Sequence, residues 1–202
     1  MRFIKLFAVC LLFFCLTGCF SNKTNLVKML QEKNERYISL EEFETAIKNG
    51  ADVNARNELG ESFLGLMAMK CPDPKTITAI IQAGANVNDA TNGGFTPLMR
   101  AAAFNKNTEI MKVFLDAGAD INARNENGST PLMCAADEYI GRSESIIFLL
   151  EHGADPDVKD ARGVTVLGYV QRNKELLNSE AFEMLVKLAV QKAKDKIKEE
   201  AN

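Results

Sequence analysis

The stretch GADINARNENGSTPLM, Gly118 to Met133, occurs in four versions along the chain. The others are GADVNARNELGESFLG from Gly50, GANVNDATNGGFTPLM from Gly84 and GADPDVKDARGVTVLG from Gly153, so successive starts lie 34, 34 and 35 residues apart. In each copy a second glycine follows ten positions after the first, at Gly60, Gly94, Gly128 and Gly163. Two spacings held together over four copies mark an internal repeat.

The residue choices inside a copy predict two helices and a turn. Thr96-Pro97 and Thr130-Pro131 suit a helix start, because the hydroxyl caps an orphan amide and proline at the first helical position gives up no needed donor. Small Ala101-Ala102 and Ala135-Ala136 let a second helix approach closely. That helix reads EIMKVFLDAG from Glu109 and SIIFLLEHG from Ser145, with Ile110, Met111, Phe114 and Leu115, or Ile146, Phe148, Leu149 and Leu150, spaced to cover an inner face. Gly118 and Gly153 end these helices, and the Asn, Asp and Gly that follow suit a projecting hairpin-like turn.

In its period and in Thr96-Pro97-Leu98 and Thr130-Pro131-Leu132, the chain resembles ankyrin repeat proteins over about Leu40 to Leu188. The resemblance implies an all-α solenoid of stacked helix-turn-helix units with projecting hairpin loops. Met99 and Met133 stand where that family carries histidine, so the hydrogen bonds histidine lends to the turns must be made otherwise or be missing. Units that cannot bury their own apolar face need different ends. The ends do differ: Ser62-Phe63-Leu64-Gly65 and Thr165-Val166-Leu167-Gly168 replace the signature. The expected organisation is an N-terminal helical cap over 25–49, four repeats with degenerate ends over 50–190 and a charged helix or tail over 191–202. The amphipathic VKLAVQKAKDKIKEE near the C-terminus reads either as a capping helix or as a helix lying on anionic lipid.

Residues 1–18 have the layout of a leader, with Arg2 and Lys5 ahead of the uncharged apolar run Leu6 to Leu16. The run is too short to span a bilayer, which takes about 20 apolar residues. Leu16-Thr17-Gly18-Cys19 resembles the lipobox of bacterial lipoprotein precursors. That resemblance implies a diacylglyceryl group on Cys19, cleavage just before it, and residues 19–24 as a lipid-anchored tether at the bacterial cell envelope. Phe20 in the next position implies the outer membrane, facing the periplasm.

Chemistry is harder to find. The chain carries 24 basic and 27 acidic residues with no basic stripe, which argues against nucleic acid. His152 is the single histidine and reads as a helix-terminal residue, since a general base needs a partner to orient it. There is no Cys-x-x-Cys pair, and Asp155, Asp157 and Asp160 read as turn residues. No catalysis, metal, cofactor or small-molecule substrate is expected. Cys71 and Cys134 sit at different offsets in their repeats, which predicts two free thiols, with Cys134 outward-leaning and a candidate for reactivity.

Ankyrin proteins use a concave surface formed by turn tips and the variable positions of each first helix. Carried over residue by residue, the tips supply Arg56, Arg124, Glu126 and Arg162, and the helices Leu66, Arg100, Cys134 and Tyr169, with Met69, Phe104 and Glu138 a turn further on. Exposed aromatics and arginines carry interface energy, although Phe104 and Met69 suit packing between repeats equally well. The resemblance therefore implies a protein partner and a non-enzymatic interaction module. Its alternatives are an immunity-type inhibitor of a periplasm-acting toxin, or a protector or scaffold of an envelope enzyme.

Overall fold

A computed structural model describes residues 25–32, 37–137 and 141–200. The leader, Cys19, the tether and Glu138 lie outside the described residues. Ten helices follow one another within them: α1 Leu26–Glu32, α2 Leu40–Lys48, α3 Phe63–Lys70, α4 Pro74–Gln82, α5 Pro97–Phe104, α6 Glu109–Asp116, α7 Pro131–Ala135, α8 Ser143–Glu151, α9 Val166–Arg172 and α10 Glu180–Glu200. The described residues contain no strand, only an isolated bridge between Arg56 and Ser62 in the first hairpin.

Local chemistry starts the helices where the sequence suggests. Ser62, Thr96 and Thr130 accept hydrogen bonds from the amides of Gly65, Met99 and Met133, and Pro97 and Pro131 follow their caps directly. Thr165 is the exception, with no side-chain cap bond. In α2, Ser39 and Glu42 form a reciprocal capping box. Helix α8 begins at Ser143, two residues before the start read from the sequence. Helix α10 crosses the expected boundary at 190 without a break.

The short helices α3, α5, α7 and α9 form an inner row, with α3 packed on α5 and α5 on α7. Helices α4, α6, α8 and α10 back them, and α1 with α2 closes the N-terminal end. Ala101, Ala102, Ala135 and Ala136 are fully buried, and the space they leave admits Ile110, Met111, Phe114, Ile146 and Leu149 from the outer row. One continuous core runs the length of the array. Its N-terminal end is sealed by Phe43 of α2, whose ring lies parallel to that of Phe63 at 6.0 Å. No described helix is long and apolar enough to cross a membrane.

At the other end, Lys192 of α10 reaches back to Asp157 of the fourth hairpin and lies 3.9 Å from Asp155. Ala181 and Leu185 of α10 are buried in the core, whereas Val186 and Val190 further along it are exposed. His152 sits at the C-cap of α8, with Nδ1 2.7 Å from the carbonyl of Phe148 and its ring stacked on Phe148 at 4.0 Å.

Candidate functional site

Hairpin residues Asn125, Asn127, Ala161 and Arg162 and the inner-helix residues Cys134 and Tyr169 line one hollow, on the face that the resemblance implies to be concave. Met99 and Met133 are buried core residues, so other groups close the turns. Asn57 accepts from the amides of Leu59 and Glu61, Thr91 from Phe95, Asn125 from Ser129, and Asp160 from Arg162 and Val164. These four stand at one offset in the repeat, and each rigidifies its tip from within.

Side chains also bridge successive units. Asn54 donates to the carbonyl of Gly84, and Asn88 to that of Gly118. In return Asn54, Asn88 and Asn122 accept from the amides of Asn86, Asp120 and Asp155. On the inner row, the helices leave C-terminal carbonyls without intrahelical donors, and the following unit satisfies them. Asn105 donates to Ala68 and Cys71 at 2.8 and 2.9 Å, Arg142 to Ala103 and Phe104, and Asn173 to Asp137.

These bridges change the standing of several residues expected as exposed contacts. Arg100 is only 13% exposed: it pairs with Glu61 at 2.5 Å and points Nη1 at the Met69 sulfur. Its two Nη groups join the first and second repeats, while Nε is buried without a hydrogen-bond partner. Arg56 binds Asp89 and the carbonyls of Gly60 and Ala90, and Arg124 donates to the carbonyl of Lys159, but both remain exposed at their tips. Glu126 remains exposed at its tip, and Leu66 is half-buried. Phe104, at 46%, is the most exposed aromatic side chain on the inner helices.

Arg162 and Tyr169 come together at the far end of the face. The Tyr169 hydroxyl donates to Asp160 at 2.9 Å, while Arg162 donates to both, with its guanidinium carbon 5.7 Å from the tyrosine ring centre. Burial of the Asp160 carboxylate acts to raise its pKa, but the amides of Val164 and Arg162, the Tyr169 hydroxyl and the Arg162 guanidinium outweigh that and hold it at about 2. A carboxyl whose folded pKa is depressed stabilises the fold above its unfolded value, and that contribution fades as pH falls through the folded one. Here the window runs from about 4 down to about 2. Asp160→Asn keeps an acceptor for the turn but not the charge. Its stability is therefore expected to vary less with pH in this window than the wild type's, as read from acid unfolding curves; parallel curves would contradict the assignment.

A hollow of ≈ 360 Å³ opens beside this cluster, walled by Phe95, Met133, Cys134, Asp137, Arg162 and Tyr169 among others. Phe95 and Asp137 were not among the residues expected from sequence. The signal for Phe95 is the row Glu61, Phe95, Ser129, Val164, which changes chemistry at one fixed offset. Cys71 and Cys134 are both free. Cys134 does line the hollow, but it is not the reactive thiol the sequence suggested. Burial, with a further contribution from the negative charge of Asp137, pushes its pKa up to about 12. Little thiolate exists at neutral pH, and the thiolate is the nucleophile. Native protein is therefore expected to alkylate at Cys134 more slowly at about pH 8 than unfolded protein does, although the thiol lines the hollow; equal rates would refute this.

The comparison with curated proteins returned no match. The family model for ankyrin repeats (3 copies) matches residues 18–125 and 64–160, well over half of the chain. The glycine turns, the two rows of helices and these matched residues agree on one point: the chain belongs to the ankyrin repeat family, whose stacked units imply a protein–protein interaction module.

Proposed function

We propose that the chain is a non-enzymatic interaction module, held at the bacterial cell envelope by acyl chains on Cys19, that presents its concave face to a protein partner. One observation carries the reading of the face. The inter-repeat bridges withdraw Arg100 from solvent and fix the still exposed Arg56 and Arg124, and they leave Phe104 exposed and Tyr169 beside an open hollow. Large rings at the edge of a hollow are the side chains that anchor interfaces. The envelope reading is supported by the charged start, the apolar run and Leu16-Thr17-Gly18-Cys19, and Phe20 favours the outer membrane facing the periplasm. Two or three acyl chains at roughly 0.8 kcal/mol per buried methylene hold a protein essentially permanently.

Two variants test the two halves of the proposal. Full-length protein carrying Phe104→Asp and Tyr169→Leu is expected to lose the partners that wild type captures from solubilised membranes, while keeping its helical circular dichroism. Cys19→Ser is expected to move the protein from the detergent phase to the aqueous phase. Unchanged capture would remove the concave face from the account, and unchanged partitioning would remove the anchor.

A further inference from the structure

Asparagine followed by glycine occurs three times in the chain, at Asn49-Gly50, Asn92-Gly93 and Asn127-Gly128. All three asparagines are exposed. In this dipeptide the side-chain carboxamide is open to attack by the next backbone nitrogen, because glycine has no Cβ to shield that nitrogen or restrict its approach. The fold treats the three sites unequally. The Gly50 N–H donates to the carbonyl of Ile47 at 2.9 Å, and the Gly128 N–H to that of Asn125 at 2.8 Å. Among the described residues, neither the Gly93 N–H nor the Asn92 carboxamide has a hydrogen-bond partner. The backbone around Asn92 is also tied on one side only. The N–H groups of Glu126 and Ala161 bond to the carbonyls of Gly93 and Asn127 at 3.2 and 2.9 Å, linking the third hairpin to the second and the fourth to the third. Asn92 stands at the same offset in its own repeat, but its N–H makes no such bond to the first hairpin.

We infer that Asn92 is a site of covalent self-modification, deamidating in the folded protein while Asn49 and Asn127 are held back. The Gly93 nitrogen gives up its proton and bonds to Asn92 Cγ. The Cγ–Nδ2 bond breaks, ammonia leaves with that proton, and a cyclic imide closes. Water then opens the ring at either carbonyl, which yields aspartate or isoaspartate. At Gly50 and Gly128 the hydrogen bond that holds the nitrogen must break first, so the same reaction waits on local opening of the turn. At Gly93 no bond stands in the way. The product changes the second hairpin in two respects. The Asn92 carboxamide lies against Gly60, whose carbonyl holds Nη1 of Arg56, so the new carboxylate arrives near a guanidinium. Isoaspartate, in addition, inserts one extra atom into the main chain just before Gly93, the residue whose carbonyl carries the link to the third hairpin. The inference holds whatever the concave face binds.

The test is to age the full-length protein in mildly alkaline buffer, digest it in acid and follow the mass gain of deamidation peptide by peptide. Asn92 is expected to convert at least about fivefold faster than Asn49 or Asn127, the ratio that one net hydrogen bond supplies. In urea the three rates should converge, since each site is then the same dipeptide in an open chain. Gly93→Ala adds a carbon that would meet only the Phe95 ring, at 3.5 Å, so the variant should fold. It is expected to slow conversion at Asn92 and to leave the other two sites unchanged. Asn49 or Asn127 converting as fast as Asn92 in the folded protein would overturn the inference. So would a preference for Asn92 that survives in urea, because the selectivity would then lie in the local sequence and not in the fold. Should Gly93→Ala fail to fold, the comparison of folded with urea-treated wild type decides alone.

Discussion

Alanine at Gly94 is expected to destabilise the protein by about 3 kcal/mol, and alanine at Gly118 by about 1 kcal/mol. Both glycines have left-handed backbones, with φ of +78° and +87°. A side chain at either position meets the same intrinsic penalty of roughly 1 to 2 kcal/mol. Their surroundings differ. A Cβ on Gly118 would have nothing within 4 Å, whereas one on Gly94 would lie 2.9 Å from the α-carbon of Asn125 and 3.0 Å from the amide nitrogen of Glu126. The neighbour there is backbone, held by the hydrogen bond from Glu126 to the carbonyl of Gly93 at 3.2 Å, so it cannot swing aside as a side chain would. The second and third hairpins would have to separate. Urea unfolding of the two variants decides the matter, and equal midpoints would show that the hairpins do not pack as closely as described.

Asn105→Ala is expected to cost about 2 to 4 kcal/mol, more than any exposed substitution on the face. Asn105 is 5% exposed and donates to two carbonyls at the end of α3, in the unit before its own. Its oxygen also accepts from the backbone N–H of Asn107, whose side-chain Nδ2 donates to the carbonyl of Pro72. Removing the amide strands two buried acceptors, each worth about 1 to 3 kcal/mol when left without a donor. In an array whose stability is a sum of units and interfaces, the damage should concentrate at one junction. Hydrogen exchange is therefore expected to accelerate in α3 and α4 before it does so in α8. Uniform acceleration would mean that the first junction is not what Asn105 holds.

The parts of this fold that were legible in the sequence are those written at short range. Glycine spacing, the Thr-Pro starts and the apolar faces of α6 and α8 depend on residues within one unit, and they stand where the sequence predicts. The fate of Arg100 was not legible, because its partner Glu61 lies 39 residues away in the preceding repeat. On a single unit Arg100 looks like a solvated contact residue, and only stacking brings the carboxylate to it. Cys134 shows the same limit from the other side. It is half-buried and lines the hollow, but its acidity depends on how closely the neighbouring helices and Asp137 surround it. Arg142 escaped notice because it does for Ala103 and Phe104 what Asn105 does for Ala68 and Cys71, with a different residue type at a different offset. The envelope anchor rests on residues 1–24, outside the described part of the chain, and stands on the sequence alone.

The inner-row bridges all point the same way: Asn105, Arg142 and Asn173 each finish the helix end of the unit made before them. Each inner helix end is therefore closed only when the unit after it is in place, so order is handed along the array from one repeat to the next. The same polarity means that an array cut short after any repeat is left with open carbonyls at the inner helix end of its last unit.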